Sequence, residues 1–196
     1  MQLYVLSLKL AATSSYGALA LVRKPQLADP PRCDGCGADL SPRRTLPPHR
    51  YLIKYGDPGD LLTDVMITAF SSRFMKAYKE SDLVGLEFDD KLELKNSKLD
   101  YRMAWPVCTY ALMDESASGV VINNVRGCDK CRVMSIKKID RIVLKENTWG
   151  GEDIFRSGNL FGLILVSQRF VDCVRSNGFT NFQFIRQDEY SESFDF

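Results

Sequence analysis

Two cysteine pairs constrain the fold of this chain more than any other feature of the sequence. Cys33 and Cys36 lie in CDGCG, and Cys128 and Cys131 lie in CDKC, so that two residues separate the cysteines of each pair. A turn of this kind presents two thiolates to one side, whereas a structural zinc ion binds four ligands in a tetrahedron. Each pair therefore supplies half of a site. We expect the two pairs to form one four-cysteine site of the zinc-ribbon type around a single structural zinc ion.

Two other uses of these cysteines compete with the zinc site. A redox-active pair begins a helix, where the helix dipole lowers the pKa of a thiol, but Gly37 and Pro42 interrupt any helix after the first pair. Two disulfides are the alternative for an exported protein. The interval between Cys36 and Cys128 far exceeds the roughly 15–20 residues usual between ribbon pairs. A zinc site therefore requires that a whole folded unit is inserted between the two pairs.

The composition indicates one compact unit with a hydrophobic core and no global charge. The chain has 196 residues, of which 45% are hydrophobic, and its formal net charge is +1. A near-neutral chain offers no overall electrostatic attraction for nucleic acid or for a membrane surface, and no apolar run reaches the roughly 18 residues of a membrane-spanning helix. The apolar N-terminal stretch lacks the basic region that begins a secretory signal. We therefore predict a cytoplasmic protein whose thiols stay reduced.

An internal repeat relates the two halves of the chain. Residues 69–88 and 165–184 align without gaps at an offset of 96, and the two cysteine pairs are offset by 95. A fixed offset that separate motifs share indicates a duplicated unit. The alternative is one common helix-to-strand connector that the chain uses twice without shared ancestry. The identical positions are Ser71 and Ser167, Arg73 and Arg169, Phe74 and Phe170, and Phe88 and Phe184.

The repeat predicts an α+β fold of two related lobes joined at the four-cysteine site. Each lobe contains a CxxC loop, a strand, a turn, a helix and a second strand. In both helices we expect the serine to cap the N-terminus, the phenylalanine to face the core and the arginine to be solvated or salt-bridged. Lobe one covers about 1–95, lobe two covers about 96–187, and 188–196 form an acidic tail. Strands are predicted over 1–8, 18–23, 51–55, 84–88 and 141–144, and helices over 71–81 and within 167–184.

The other candidate residues indicate no catalytic site. His49 is the only histidine and follows two prolines, so we expect a surface loop residue. The usual nucleophile–base pairs need a partner that the sequence does not supply, and we predict that the protein is not an enzyme. Cys108 and Cys173 lie in apolar segments and are expected to be buried small hydrophobes. The acidic pairs expected in solvated turns are Asp89 with Asp90 and Glu152 with Asp153.

Charge is unevenly distributed despite the neutral total. A basic band surrounds the second cysteine pair, and such a band can contact phosphates. The acidic stretches at 80–100 and at the C-terminus suit a basic protein partner instead. For each of these runs, a solvated surface is the simpler interpretation. The basic residues of the band, within 126–145, are Arg126, Lys130, Arg132, Lys137, Lys138, Arg141 and Lys145.

Several of these stretches together resemble a known family. MQLYVL at the start, CDGCG, CDKC, GEDIFR at 151–156 and LFGLILVSQRFVDCVRSNGFTNFQF at 160–184 are similar to the double-CXXCG motif immunity proteins of bacterial Sit-type polymorphic-toxin systems. Arg132 stands where the second motif has a glycine. The resemblance implies a cytoplasmic, non-enzymatic inhibitor that binds one cognate toxin domain and blocks its active site.

Two functions from different classes follow. The first is an immunity protein that neutralises a toxin and contains a structural zinc ion at Cys33, Cys36, Cys128 and Cys131. The alternative is a zinc-ribbon nucleic-acid-binding or regulatory protein that uses the basic band.

Overall fold

The structure is a computed structural model that describes residues 2–7, 19–54, 56, 58–63, 68–125, 127–160 and 162–193, except the side chains of Asp90, Lys91 and Val125. The described residues are mostly sheet, with two helices. The strands are β1 (Leu3–Leu6), β2 (Leu19–Leu21), β3 (Arg50–Ile53), β4 (Leu61–Thr63), β5 (Thr68–Ser71), β6 (Leu86–Leu94), β7 (Tyr101–Cys108), β8 (Val121–Val125), β9 (Met134–Ile139), β10 (Ile154–Arg156), β11 (Ile164–Ser167), β12 (Phe184–Arg186) and β13 (Glu192–Ser193). The helices are α1 (Ser72–Glu80) and α2 (Gln168–Ser176).

The strands form one large sheet and one small sheet. The large sheet has ten strands, eight of them in the order β12-β1-β11-β10-β7-β6-β3-β2, while β5 joins through β7 and carries β4 beside it. The small sheet has the order β13-β9-β8. Pairing is antiparallel except between β7 and β10 and between β3 and β6. The mixed, mainly sheet architecture agrees with the predicted α+β class. No helix in the described part of the chain is long and apolar enough to span a membrane.

Each half of the chain contributes a strand to the other half's part of the large sheet. β1 lies between β11 and β12, with Leu3 opposite Ser167. β7 pairs with both β5 and β6, with Tyr101 opposite Ser71. β1 therefore pairs with the last residue of β11 in the same way as β7 pairs with the last residue of β5. The two halves of the sequence are therefore interleaved in one sheet.

Both helices begin with the predicted serine cap. The hydroxyl oxygen of Ser71 accepts a hydrogen bond from the backbone N–H of Phe74 at 3.1 Å, and that of Ser167 accepts one from Phe170 at 3.2 Å. Such a cap stabilises a helix by about 1 kcal/mol because it satisfies an N–H group that has no partner in the first turn. Both phenylalanines are fully buried, and their ring centroids are 5.8 Å apart. The two corresponding helices therefore meet in one aromatic core.

The prediction of a strand over 141–144 is wrong. Within this segment only Leu144 forms a bridge, with Met113, and the strand of this region is β9, which precedes it. The physical reason is that the backbone groups of the segment bond to partners in different places. The N–H of Ile142 donates to the carbonyl of Gln187, whereas the N–H of Val143 donates to the hydroxyl of Ser118.

The predicted turn at Asp89 and Asp90 is also wrong, because both residues lie within β6. β6 is longer than the predicted strand over 84–88, and its register against β7 shifts between Phe88 and Lys91. This irregularity allows the strand to continue through an acidic pair that a regular sheet disfavours.

The described part of the acidic end segment is packed against the small sheet. Tyr190 is buried, and Glu192 lies opposite Ile139 in the pairing of β13 with β9.

Candidate metal centre

The first cysteine pair lies on a tight turn, which we call the first knuckle (Cys33–Gly37). The N–H of Gly37 donates to the carbonyl of Cys33 at 2.7 Å, and the N–H of Cys33 donates to the carbonyl of Ala38 at 2.8 Å. Gly37 has a φ of +72°, in the left-handed region that glycine adopts without steric cost. Gly35, the other glycine of this turn, does not have a positive φ.

The second cysteine pair lies on a matching turn, the second knuckle (Cys128–Arg132). The N–H of Arg132 donates to the carbonyl of Cys128 at 2.7 Å, and the N–H of Gly127 donates to the carbonyl of Val133 at 2.8 Å. Arg132 takes the place of Gly37 and has a φ of +51°. This conformation costs a non-glycine residue about 1–2 kcal/mol. The turn thus keeps the same backbone shape although the glycine is absent.

The two knuckles bring the four predicted cysteines together. The Sγ atoms of Cys33 and Cys128 are 3.8 Å apart, and those of Cys36 and Cys131 are 3.7 Å apart. All four sulfur atoms lie within 4.8 Å of one another. A tetrahedron of thiolates with zinc–sulfur distances of about 2.3 Å has sulfur–sulfur edges of about 3.8 Å. The number, chemistry and spacing of these donors therefore fit one zinc ion.

The disulfide alternative does not fit this geometry. A disulfide has a sulfur–sulfur distance of about 2.05 Å, and all six cysteines of the chain are free thiols in this structure. The redox alternative has no structural support either, because neither knuckle begins α1 or α2. Of the three uses considered from the sequence, a shared metal site is the one that fits the spacing of the four sulfur atoms.

The four thiols perturb one another's ionisation. Hydrogen bonds from the backbone N–H groups of Cys131 and Lys130 lower the pKa of the Cys128 thiol to about 7. The N–H of Ala38 acts in the same direction on Cys36, but desolvation and hydrogen bonds with the other thiols outweigh it and raise the pKa of Cys36 to about 11. Adjacent thiolates repel one another, so that full ionisation of the cluster needs a cation. A divalent metal ion bound by the four cysteines would supply that positive charge and hold all four thiols deprotonated.

Two glycines allow the backbone to approach the sulfur atoms. A Cβ atom on Gly35 would lie 3.3 Å from the Sγ of Cys128, which is a tight contact. A Cβ atom on Gly127 would lie 2.5 Å from the Sγ of Cys131 and 2.6 Å from the backbone nitrogen of Val133. The second position therefore tolerates no side chain without a shift of the knuckle.

An ion pair joins the two knuckles at the surface. The Nζ of Lys130 lies 2.6 Å from both carboxylate oxygens of Asp34. Hydrogen bonding to Lys130 lowers the pKa of Asp34. Because both side chains are well exposed, the pair orients the knuckles more than it stabilises the fold.

The basic band is largely neutralised on the side of the second knuckle. Ion pairs join Lys130 to Asp34, Arg132 to Glu115 and Lys138 to Asp140. Arg126 lies outside the described residues. The basic side chains with no ion pair to a described residue are Lys137, Arg141 and Lys145.

The prediction that His49 is a surface residue is wrong. His49 is only 2% exposed. Its Nδ1 lies 3.3 Å from the hydroxyl of Thr45, and its Nε2 lies 3.3 Å from a carboxylate oxygen of Asp89, although not in hydrogen-bond alignment. The same carboxylate oxygen accepts a hydrogen bond from the indole N–H of Trp105. The imidazole ring is thus buried between Thr45, four residues earlier, and Asp89 of β6, and it does not belong to the four-sulfur cluster.

The other two cysteines are not part of the cluster. Cys173 is buried on α2, as predicted. Cys108 ends β7 and is half-buried, and desolvation raises the pKa of its thiol.

A groove of about 930 Å³ lies beside the knuckles. Its rim carries Tyr110, which is 92% exposed. Of the six charged side chains that line it, Arg44 pairs with Glu87 and Lys130 with Asp34, whereas Arg32 pairs with Asp39 outside the lining and Asp29 has no ion pair with a described residue.

The burial of two carboxylates, those of Asp60 and Asp153, was not predicted from the sequence. Asp60 is 6% exposed and accepts hydrogen bonds from the hydroxyl of Ser71 at 2.7 Å and from the Nη2 of Arg73 at 2.6 Å. The backbone N–H of Thr180 also donates to it, at 2.9 Å. Although desolvation raises the pKa of Asp60, the hydrogen bonds from Arg73 and Ser71 outweigh desolvation and hold the pKa below its ordinary value.

Asp153 has the same surroundings in the second half of the chain. It is 1% exposed, so the expectation of a solvated turn is wrong. It accepts hydrogen bonds from the hydroxyl of Ser167 at 2.6 Å and from the Nη1 of Arg169 at 3.3 Å, and the N–H of Val84 donates to it at 3.1 Å. Both predicted helical arginines are thus salt-bridged. An aspartate at the end of a glycine-containing turn, upstream of each capping serine, is the sequence signal that identifies these residues.

The fold and the clustered thiols define a mainly β-sheet protein with a four-cysteine centre, and one half of the chain relates it to a known family. Residues 107–189 match the family described as Immunity protein family (Imm11). The match confirms the resemblance to an immunity protein family. It includes the second knuckle, the small sheet's β8 and β9, and α2. No curated protein matches the chain.

Proposed function

We propose that this chain is an immunity protein that binds one cognate bacterial toxin domain and neutralises it by occluding its active site. The observation that carries the proposal is the match of residues 107–189 to an immunity protein family. In this proposal the protein acts in the cytoplasm as an inhibitor and has no catalytic activity of its own. The uneven surface charge, with Lys137, Arg141 and Lys145 in no ion pair with a described residue, suits a partner that is recognised by charge.

The proposal includes one structural zinc ion bound by Cys33, Cys36, Cys128 and Cys131. Its support is the tetrahedral spacing of the four sulfur atoms. Zinc sites of this kind contribute on the order of 10 kcal/mol to folding, which is enough to order loops that bury little apolar surface. The first knuckle lies in such a region, because none of residues 22–49 belongs to a strand or a helix.

The proposal also includes an origin of the fold in a duplication. Three pairs of corresponding residues support it, since each contacts its own counterpart: Cys33 with Cys128, Cys36 with Cys131, and Phe74 with Phe170. Contacts between equivalent residues occur at a two-fold axis. The matching environments of Asp60 and Asp153 support the same origin. The two lobes then correspond to two repeats that exchange their first strands, β1 and β7.

The function is tested by coexpression with the toxin gene that lies next to the gene of this chain. We expect the chain to restore growth of cells that express the toxin, and we expect the purified proteins to form a complex of one toxin domain and one immunity chain. Growth arrest in the presence of the folded chain, together with no complex in size-exclusion chromatography, would reject the proposal.

The zinc ion is tested separately by elemental analysis of the purified chain. We expect one zinc per chain, and we expect Cys33→Ser and Cys128→Ser to lose it. Cys108→Ser is the matched control, because Cys108 lies outside the cluster and its replacement should leave the zinc content unchanged. A folded wild-type chain without metal would contradict the site.

The alternative, a zinc-ribbon nucleic-acid-binding or regulatory protein, has weaker support. Three side chains of the basic band are occupied by ion pairs. A protein that binds the phosphates of a nucleic acid loses affinity for it steeply as the salt concentration increases. Binding of DNA or RNA with such a slope, in the absence of toxin binding, would favour the alternative.

A further inference from the structure

An exposed edge strand is the surface feature that the proposed function does not yet use. β8 forms one edge of the small sheet, and among the described strands it pairs only with β9. All four of its described side chains are exposed, including those of Val121 and Ile122 at 48% and 38%. Its outer backbone N–H and C=O groups therefore face solvent and can pair with another strand.

Most of the features that normally protect such an edge are absent from β8. Proteins block exposed edges with lysine, proline, inward-pointing charge or bulges. The sequence of β8, VINNV, contains no charged residue and no proline, although its register against β9 is irregular. Two adjacent β-branched apolar residues instead favour an extended conformation and offer apolar contact on both faces of the strand.

The neighbouring strand supplies a charge preference. Lys138, which forms an ion pair with Asp140, lies opposite Val121, and Lys137 falls in the register shift between Val121 and Ile122. Lys137 has no ion pair with a described residue, and neither has Arg141 just after β9. A strand added to β8 would thus pair with an uncharged edge and lie near the unpaired positive charges of Lys137 and Arg141. A second copy of this chain would bring the same lysines towards each other, whereas an acidic segment would be attracted.

The metal centre is placed to rigidify this edge. The second knuckle connects β8 to β9, so that the two cysteines Cys128 and Cys131 close the hairpin to which the edge strand belongs. By contrast, the groove beside Tyr110 is lined by three basic and three acidic side chains, so its charge shows no preference for the sign of a ligand.

We infer that β8 is the toxin-docking edge, where an extended acidic segment of the toxin domain adds as a further strand to the small sheet. This inference rests on the proposed function and specifies its binding surface. Backbone hydrogen bonds would supply affinity, whereas Val121, Ile122 and Lys137 would supply specificity.

The test uses the full chain and the toxin domain encoded beside its gene. Val121→Glu with Ile122→Glu places like charge before the acidic segment, and we expect the affinity to fall at least a hundredfold. The matched control is Val121→Thr with Ile122→Thr, which keeps β-branched side chains without charge and should change the affinity by less than tenfold. Lys137→Glu should weaken binding at least tenfold, whereas Lys98→Glu on another exposed surface should not. Zinc content and circular dichroism verify that each variant is folded.

Hydrogen exchange locates the contact independently of the variants. We expect the backbone amides of 121–125 to exchange more slowly in the complex than in the free chain. Tight binding by the glutamate variant without protection of β8 would overturn the inference and leave the proposed function intact. The same holds if protection falls on 108–110 at the groove, or if the free chain forms a dimer that Ile122→Glu breaks. If the wild-type chain does not bind the toxin domain at all, both proposals fail.

Discussion

Arg73 on α1 and Arg169 on α2 each donate hydrogen bonds to the C-terminal end of the other helix. Arg73 reaches the carbonyls of Asn177 and Gly178 at 3.3 Å and 3.4 Å. Arg169 reaches those of Ser81 and Asp82 at 3.2 Å and 3.3 Å. A cation at this end of a helix interacts favourably with the helix dipole and satisfies carbonyls that have no partner. Since each guanidinium group also binds a buried aspartate, the two arginines link the first half of the chain to the second half.

Removal of either arginine should therefore destabilise the whole protein. We expect Arg73→Ala and Arg169→Ala each to lower the free energy of unfolding by about 1–3 kcal/mol, because each leaves a buried carboxylate without its charge partner. This loss is smaller than the roughly 3–5 kcal/mol expected for a fully buried pair, since both arginine side chains are more than half exposed. Urea denaturation measures the change.

The control for this prediction is Arg175→Ala. Arg175 is an exposed arginine on α2 without an ion pair to a described residue, and its removal should change stability by less than about 0.5 kcal/mol. Equal effects of all three substitutions on the free energy of unfolding would show that the contacts of Arg73 and Arg169 have no special role.

The carboxylate of Asp60 should make stability depend on acid. Its pKa is depressed in the folded state, so the stabilisation it provides is present above the unfolded pKa of about 3.9 and is lost as the pH falls through the folded value. We therefore expect stability to decline below about pH 4, and Asp60→Asn to remove part of this decline at the cost of lower stability at pH 7. Urea denaturation at several pH values measures both effects. If the stability of the variant declined below about pH 4 as steeply as that of the wild type, Asp60 would not be the source of the decline.

A methyl group at Gly127 should disturb the metal centre. The added Cβ of Gly127→Ala would lie 2.5 Å from the Sγ of Cys131, so the second knuckle must shift. We expect at least a tenfold weaker affinity for zinc, measured by competition with a chromophoric chelator. Gly162→Ala is the matched control, because no atom lies within 4 Å of the position of its Cβ and its φ is not positive. The same affinity in both variants would argue against close packing of the backbone on the sulfur atoms.

Removal of zinc should loosen both knuckles at once. If one ion is shared, chelation releases Cys33 and Cys128 together, and we expect faster hydrogen exchange in 30–50 and in 120–135 with the same dependence on chelator concentration. The second range includes β8, so chelation should also weaken binding of the toxin domain. Faster exchange in only one of the two ranges would contradict a shared ion.

The sequence by itself determined the features that depend on local chemistry. The serine caps at Ser71 and Ser167 could be predicted because a cap needs only the residues of the first helical turn. Convergence of the cysteines could be predicted because half a metal site at Cys33 and Cys36 requires its other half elsewhere. Burial of Phe74 and Phe170 followed from their spacing on an amphipathic helix.

Only the tertiary structure decided the features that depend on partners distant in the chain. The exchange of β1 and β7 is set by strand pairing, which local patterns do not encode. Burial of Asp60 and Asp153 depends on whether polar partners arrive from other segments, because a buried charge is stable only when it is paired. The exposed edge of β8 is likewise a property of the assembled sheet. A residue's own chemistry sets what it can bind, and the fold decides which partners lie within reach.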